Sequence, residues 1–281
     1  MRKFLLVAML CPILAQAQWH VNLFGGFANY IGDLQSKAYT TQQSHGAIGA
    51  GLQYDLNDHF SILGNGSYAK VGASDAYSPQ ADLRARNLSF QSRIYEGNFL
   101  LEYNLLDINV HKFTPYAFAG VAIYHFNPYA YDTLGRKVYL KRLSTEGEGL
   151  AGGPKPYNLF QFAIPFGGGI KMRITDRVVL AYEIGLRKLF TDYLDDVSTR
   201  YVDKATLLAA KGLGAVQMAY RGGEVKGGQG YPAGGSIRGG SKYKDWYYLS
   251  GIKVSISLNT NKKLEEQRRL RGLYDCPEKV Y

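Results

Sequence analysis

Cysteine is almost missing from this chain. Of 281 residues two are cysteine, Cys11 and Cys276, tryptophan is equally scarce, and methionine stands at four. No CxxC, HExxH or EF-hand pattern occurs, so the side chains offer no recognisable metal site and no cofactor is expected. The five histidines, His20, His45, His59, His111 and His125, stand at no informative spacing from serine or aspartate, and no catalytic residue is expected. Beyond residue 17 no segment has 18 consecutive apolar residues, which excludes a transmembrane helix there.

What is present is glycine, at 33, and tyrosine, at 23, in a chain that is 46% hydrophobic. That mix favours strands and loops over helix bundles. The net charge of +10 fits nucleic acid, an anionic membrane surface or lysine-rich loops. The first residues remove the nucleic-acid option. Arg2 and Lys3 precede an apolar stretch from Phe4 to Leu14 and then Ala15-Gln16-Ala17, the pattern of a secretory signal peptide. Residues 1–17 are expected to leave and Gln18 to start the mature chain. Leu10, just before Cys11, is too bulky for a lipoprotein signal. Cleavage leaves Cys276 alone in an oxidising compartment, where it has no internal disulfide partner. An exported chain without a membrane helix is either soluble or a membrane β-barrel, because only helices and closed barrels satisfy backbone polar groups in lipid.

Eight segments alternate apolar and polar residues at the strand period of two. They are 19–28, 46–56, 60–70, 94–105, 114–126, 159–174, 177–190 and 246–258. In the fourth, Tyr95, Phe99, Leu101, Tyr103 and Leu105 share one face, while Glu96, Asn98, Glu102 and Asn104 share the other. In the fifth, Tyr116, Phe118 and Tyr124 oppose Ala117, Ala119, Val121 and Ile123, and both faces are apolar enough to meet lipid. A soluble sandwich also alternates. The connections discriminate: 57–59, 106–112 and 175–176 are short, whereas 29–45, 71–91, 126–157 and 189–243 are long. Strict alternation of short and long is the rhythm of an up-and-down barrel with periplasmic turns and extracellular loops. The expected fold is all-β, an eight-stranded antiparallel up-and-down transmembrane β-barrel over 18–258, in the outer membrane, with a periplasmic tail over 259–281.

An eight-stranded barrel is filled by its own side chains. Glu96, Glu102 and Glu183 can pair there with Lys171, Arg173, Arg187 and Lys253, a set that supplies both signs. The reading is a polar plug that stiffens the barrel, with an ion or solute path as the alternative. The glycine-rich stretch between Gly212 and Gly240 lacks the lysine-serine pair of a P-loop and predicts a long flexible extracellular loop. In the tail, Asn261 can cap a short helix from Lys262 to Arg271, ended by Gly272. Leu273 and Tyr274 would anchor it on a partner, Arg268, Arg269 and Arg271 would steer it electrostatically, and the odd Cys276 points to an intermolecular bond or a free thiol.

Two stretches carry a family resemblance. "NYIGDL", Asn29 to Leu34, after the first strand resembles the opening of PorG-like outer-membrane barrels of the type IX secretion system. "LYDCPEKVY", at the end of the chain, is similar to that family's tail. The resemblance implies a non-enzymatic barrel that ties periplasmic rings of PorK-like lipoprotein and PorN-like subunits to the outer membrane through the tail. The alternatives are a stand-alone barrel whose extracellular loops bind ligands or surfaces, and a barrel protease or acyltransferase using the rim histidines His45 and His125.

Overall fold

The computed structural model describes residues 18–35 and 40–258. Ten strands follow in order: β1 (Gln18–Ile31), β2 (His45–Asp55), β3 (Phe60–Ser74), β4 (Ser89–Asn104), β5 (Phe113–His125), β6 (Tyr129–Tyr131), β7 (Lys137–Tyr139), β8 (Phe160–Arg173), β9 (Val178–Leu189) and β10 (Trp246–Ser257). Eight of them close a ring, because β1 pairs with both β2 and β10 while β3 pairs with β4. Every pairing is antiparallel, and no edge in the ring is left open. The other two, β6 and β7, form a hairpin that extends the sheet above β4, with Gln91 opposite Tyr129. This is the closed eight-stranded barrel the alternation predicts.

Side chains alternate across the wall as the period of two requires. On β4 every odd residue from Arg93 to Tyr103 is exposed and every even one is buried. The exposed face is apolar: Phe99 is 69% exposed, Val121 62% and Phe162 65%, values that only a lipid-facing wall makes favourable. Aromatic rings border this band at both ends. Tyr68, Tyr95, His125 and Phe160 run side by side at one end. Trp19 meets Tyr54, and Phe60 meets Tyr103, at the other. From Tyr95 to Tyr103 along β4 is about 27 Å at 3.4 Å per residue. Strand tilt lowers that to roughly the height of an outer-membrane apolar band.

The fifth segment, open in the sequence, is settled by its neighbours. Tyr116, Phe118 and Tyr124 point inward and Val121 and Ile123 outward. Room for the inward rings comes from glycine on the adjoining strands. A Cβ on Gly167 or Gly185 would meet Phe118 Cζ at 2.9 Å.

At one end the connections are tight turns, with Leu56 N–H donating to Phe60 and Ile174 N–H donating to Val178. At the other end the long segments pack into a cap over the barrel mouth. Tyr30, Tyr124, Phe126, Leu189, Leu194, Val197 and Tyr247 form one buried cluster that joins barrel to cap. The span 189–243 departs in part from the expected glycine-rich loop, which begins on a helix but is mostly exposed from Gly223 to Gly235. It holds two helices, Lys204–Lys211 and Leu213–Ala219, with Leu207, Ala215, Val216 and Ala219 in a second buried cluster. Among its glycines Gly239 serves packing: it lies against Asp33 and Val197, where a Cβ would collide.

Candidate functional site: the plugged barrel and its cap

Two ion-pair clusters occupy the barrel interior. The lower one centres on Glu102, which is fully buried and bonded to both Lys171 and Lys253, the latter at 3.1 Å. Lys253 also reaches Glu183 at 2.8 Å, and Lys171 donates to Asn104 at 2.9 Å. The Tyr116 ring centroid lies 4.5 and 4.7 Å from the Lys171 and Lys253 ammonium groups, while its hydroxyl donates to Glu183 at 2.7 Å. The upper cluster centres on Glu96, which accepts from Arg187 at 3.1 Å, from Asn98 at 2.6 Å and from the Tyr247 hydroxyl. Leu63, Leu100, Tyr116, Phe118 and Ala181 pack as an apolar cluster in the same interior. Charges withdrawn from water need partners of opposite sign with filled hydrogen-bonding capacity, and these have them.

The structure therefore brings together Glu96 with Arg187, and Glu102 with Lys171, Lys253 and Glu183. It does not add Arg173, which corrects the expected network. Arg173 lies at the short-turn end of β8 and donates to the Asn109 carbonyl at 2.8 Å, tying down the 106–112 turn. The strand pattern alone does not mark Tyr116 and Tyr247 as members, because aromatic residues read as lipid-facing. Of the rim histidines, His45 bonds through Nδ1 to the Gln43 carbonyl at 2.9 Å, and His125 is packed between Tyr95 and Phe160. The tail residues Arg268, Arg269, Arg271, Leu273, Tyr274 and Cys276 lie outside the described residues, as does the 1–17 segment.

The cap is organised by the "NYIGDL" stretch. Tyr30 ends β1 under the cap, and its hydroxyl lies 2.6 Å from Asp195 and 3.0 Å from Asp245. The two carboxylates also accept from the backbone, Asp245 from the Leu194 amide and Asp195 from the Val197 amide, each at 2.9 Å. Burial, and then the neighbouring Asp33, push Asp195 well above the ordinary carboxylate range; burial, and then Asp195, do the same to Asp245. Gly32 is glycine because a Cβ there would collide with the Tyr30 hydroxyl and the Asp245 carboxylate. Asp33 accepts from the Gly240 amide at 2.9 Å, clasping the end of the glycine-rich segment.

A second set of charges locks the remaining loops. Arg238 donates to Glu146 at 3.0 Å and to the Asp196 carbonyl at 2.6 Å. Glu146 also accepts from the Ser198 and Thr199 amides at 2.8 and 2.9 Å, and Asp196 accepts from Thr145 and Tyr157. Arg86 pairs with Asp75 at 2.7 Å. Burial raises Asp196 to about 6, Asp192 to about 7 and Glu148 to about 8. The carboxylates are engaged by arginine, hydroxyl and amide groups. Among the described residues no three His, Cys, Asp or Glu are placed to hold a metal ion.

Residues 1–209 match the family model described as "Domain of unknown function (DUF6089)". The chain belongs to the DUF6089 family. No curated protein matches it. Among solved structures the DUF6089 chain is similar to Neisserial surface protein A, at 9% identity and a TM-score of 0.43 over 85% of this chain and 97% of that one. It is also similar to Ail, the attachment invasion locus protein of Yersinia pestis, at 7% identity and 0.39 over 86% and 99%. A third likeness is to the outer membrane protein OprG from Pseudomonas aeruginosa, at 11% identity and 0.35 over 84% and 95%. The barrel of this DUF6089 member rests on its own closed strand pairing.

Proposed function

We propose that this DUF6089 protein is a non-enzymatic structural barrel of the outer membrane, with its long loops outside and its C-terminal tail in the periplasm, where the tail anchors a ring of the type IX secretion machinery. The observation that carries the structural reading is the pairing of Glu102 with both Lys171 and Lys253 inside the barrel, beneath a packed cap. A barrel filled by satisfied ion pairs is a rigid body rather than a conduit. The ring partners, a PorK-like lipoprotein and a PorN-like subunit, come from the resemblance of Asn29–Leu34 and of the tail to PorG-like barrels. Cys276 is proposed to join the lipoprotein by a disulfide, which suits a mechanical tether in an oxidising compartment.

The test is purification from membranes of the full chain, of a chain truncated after Leu258, and of Cys276→Ser. The full chain should bring down the ring subunits and the truncated chain should not. On a non-reducing gel a higher-mass band should collapse with reductant and vanish in Cys276→Ser. If Cys276→Ser runs as wild type and keeps the partner, the disulfide is wrong and the tether survives. If the truncated chain keeps the partner, the tail is not the anchor. A stand-alone barrel whose loops bind a ligand is the second reading, favoured by the fixed shape that the Arg238–Glu146 pair gives the cap.

A further inference from the structure

We propose that the outer wall over β3, β4 and β5 binds a lipid with phosphate on its headgroup, held by Lys70, Arg93 and Lys137 above an apolar hollow that takes the acyl chains. The proposal rests on the outer-membrane reading with the long loops outward.

Among the described residues the three cations form a patch with no carboxylate paired to it. Lys70 and Arg93 stand directly opposite each other on β3 and β4, and both lie on the outward face. Like charges so placed repel and weaken a sheet. Among the described residues none of the three takes part in an ion pair with a carboxylate. Their charged and polar neighbours include one another, His45 beside Lys70, and the tyrosines Tyr68, Tyr95, Tyr129 and Tyr139. Lys137, from the β6–β7 hairpin, is held in place by two of these rings, its ammonium 3.7 Å from the Tyr129 centroid and 4.7 Å from that of Tyr139. An anion supplied from outside the chain relieves the repulsion.

The height of the patch says what that anion belongs to. Lys70 and Arg93 are the next outward residues beyond Tyr68 and Tyr95, which sit in the aromatic row that ends the apolar band. Such rows lie at headgroup level. Just below that row the wall loses its side chains: Ala50, Gly66 and Gly97 face one another across β2, β3 and β4. A Cβ at Gly66 or Gly97 would touch nothing. The result is a hollow of about 740 Å³, bordered by Ile48, Ile123 and Phe160 and facing the membrane. Above the cations a smaller cleft of about 240 Å³ forms where Gly72 faces Gln91, beside His45. The Gln91 Oε1 there is buried without a hydrogen-bond partner, an acceptor suited to a headgroup hydroxyl. Apolar hollow, aromatic row, cations and polar cleft follow the order of tail, interface, phosphate and headgroup in one lipid molecule.

The full-length protein, folded in zwitterionic detergent, is titrated by native mass spectrometry with a diphosphorylated, acylated glucosamine lipid. The same lipid without phosphates, and inorganic phosphate as competitor, form the other arms. Wild type should retain one lipid. The Lys70→Gln, Arg93→Gln double variant should bind about thirtyfold more weakly, the factor for two interfacial cations at about 1 kcal/mol each. Gly97→Leu, and separately Gly66→Leu, should weaken the acylated lipid by filling the hollow. All variants should keep the heat-dependent gel mobility of a folded barrel. Equal binding by wild type and the double variant, equal binding of the phosphate-free lipid, or displacement by inorganic phosphate would each overturn the lipid site and leave the barrel reading intact. Protein that stays soluble and monomeric without detergent would sink both.

Discussion

Glu102 holds two lysines with one carboxylate, which makes it the residue whose loss the barrel should feel most. Replacing it by glutamine leaves Lys171 with Asn104 and Lys253 with Glu183, so one positive charge stays buried without a counter-ion. Glu102→Gln should therefore cost about 3–5 kcal/mol of stability, read as a lower urea midpoint in detergent or vesicles. Glu183 is partly open to solvent, and Glu183→Gln should cost less. Equal losses from the two variants would count against the bridging role. Gly32 makes a second test at this scale. Gly32→Ala pushes a methyl group into the Tyr30 hydroxyl and Asp245, so the cap should loosen while the barrel stays folded. The readout is amide exchange at Leu194, whose N–H donates to Asp245 at 2.9 Å.

The cap behaves as one element because buried acids join its loops. Their folded values lie above those of the unfolded chain, with Asp196 raised to about 6, Asp192 to about 7 and Glu148 to about 8. For such groups the protonated form favours the folded cap. The stabilising contribution is complete below the ordinary carboxylate range near pH 4 and is lost as pH rises through 6 to 8. Arg86 and Arg238 face the cluster and offset part of this, and both stay charged throughout. Exchange protection in 190–245, corrected for the intrinsic pH dependence of exchange, should fall between pH 5 and 8.5 (about this range, from the ordinary carboxylate value upward). The barrel strands should keep theirs. Protection that rises with pH would mean that the carboxylates are ionised and paired in the folded cap.

At the scale of the whole molecule the plug and the cap act in series. A path along the barrel axis meets the Glu102 cluster, then the Glu96 cluster, then the buried ring of Tyr30, Tyr124 and Tyr247. Purified protein should give no stable conductance in planar bilayers, and unheated samples should run faster on gels than boiled ones. A reproducible open channel whose conductance changes in Glu102→Gln or Lys171→Gln would show that the interior charges line a pore.

Strand number, strand faces and the closed sheet could be read from residue order alone, because a pleated wall between lipid and a polar interior imposes a period of two on every strand. The rhythm of short and long connections supplied the up-and-down order for a similar local reason. β5 escaped that logic, since both its faces are apolar, and the glycines opposite on β8 and β9 decided which face turns inward. Arg173 escaped it too, because period shows the face of a residue but not which partner lies within reach. The cap was hidden altogether. Tyr30 meets Asp195 and Asp245 across 165 and 215 residues of sequence, and loops carry no period that announces such meetings. Only closure of the barrel brings the four long segments over one mouth, where burial turns scattered aspartates, arginines and glycines into a single packed structure.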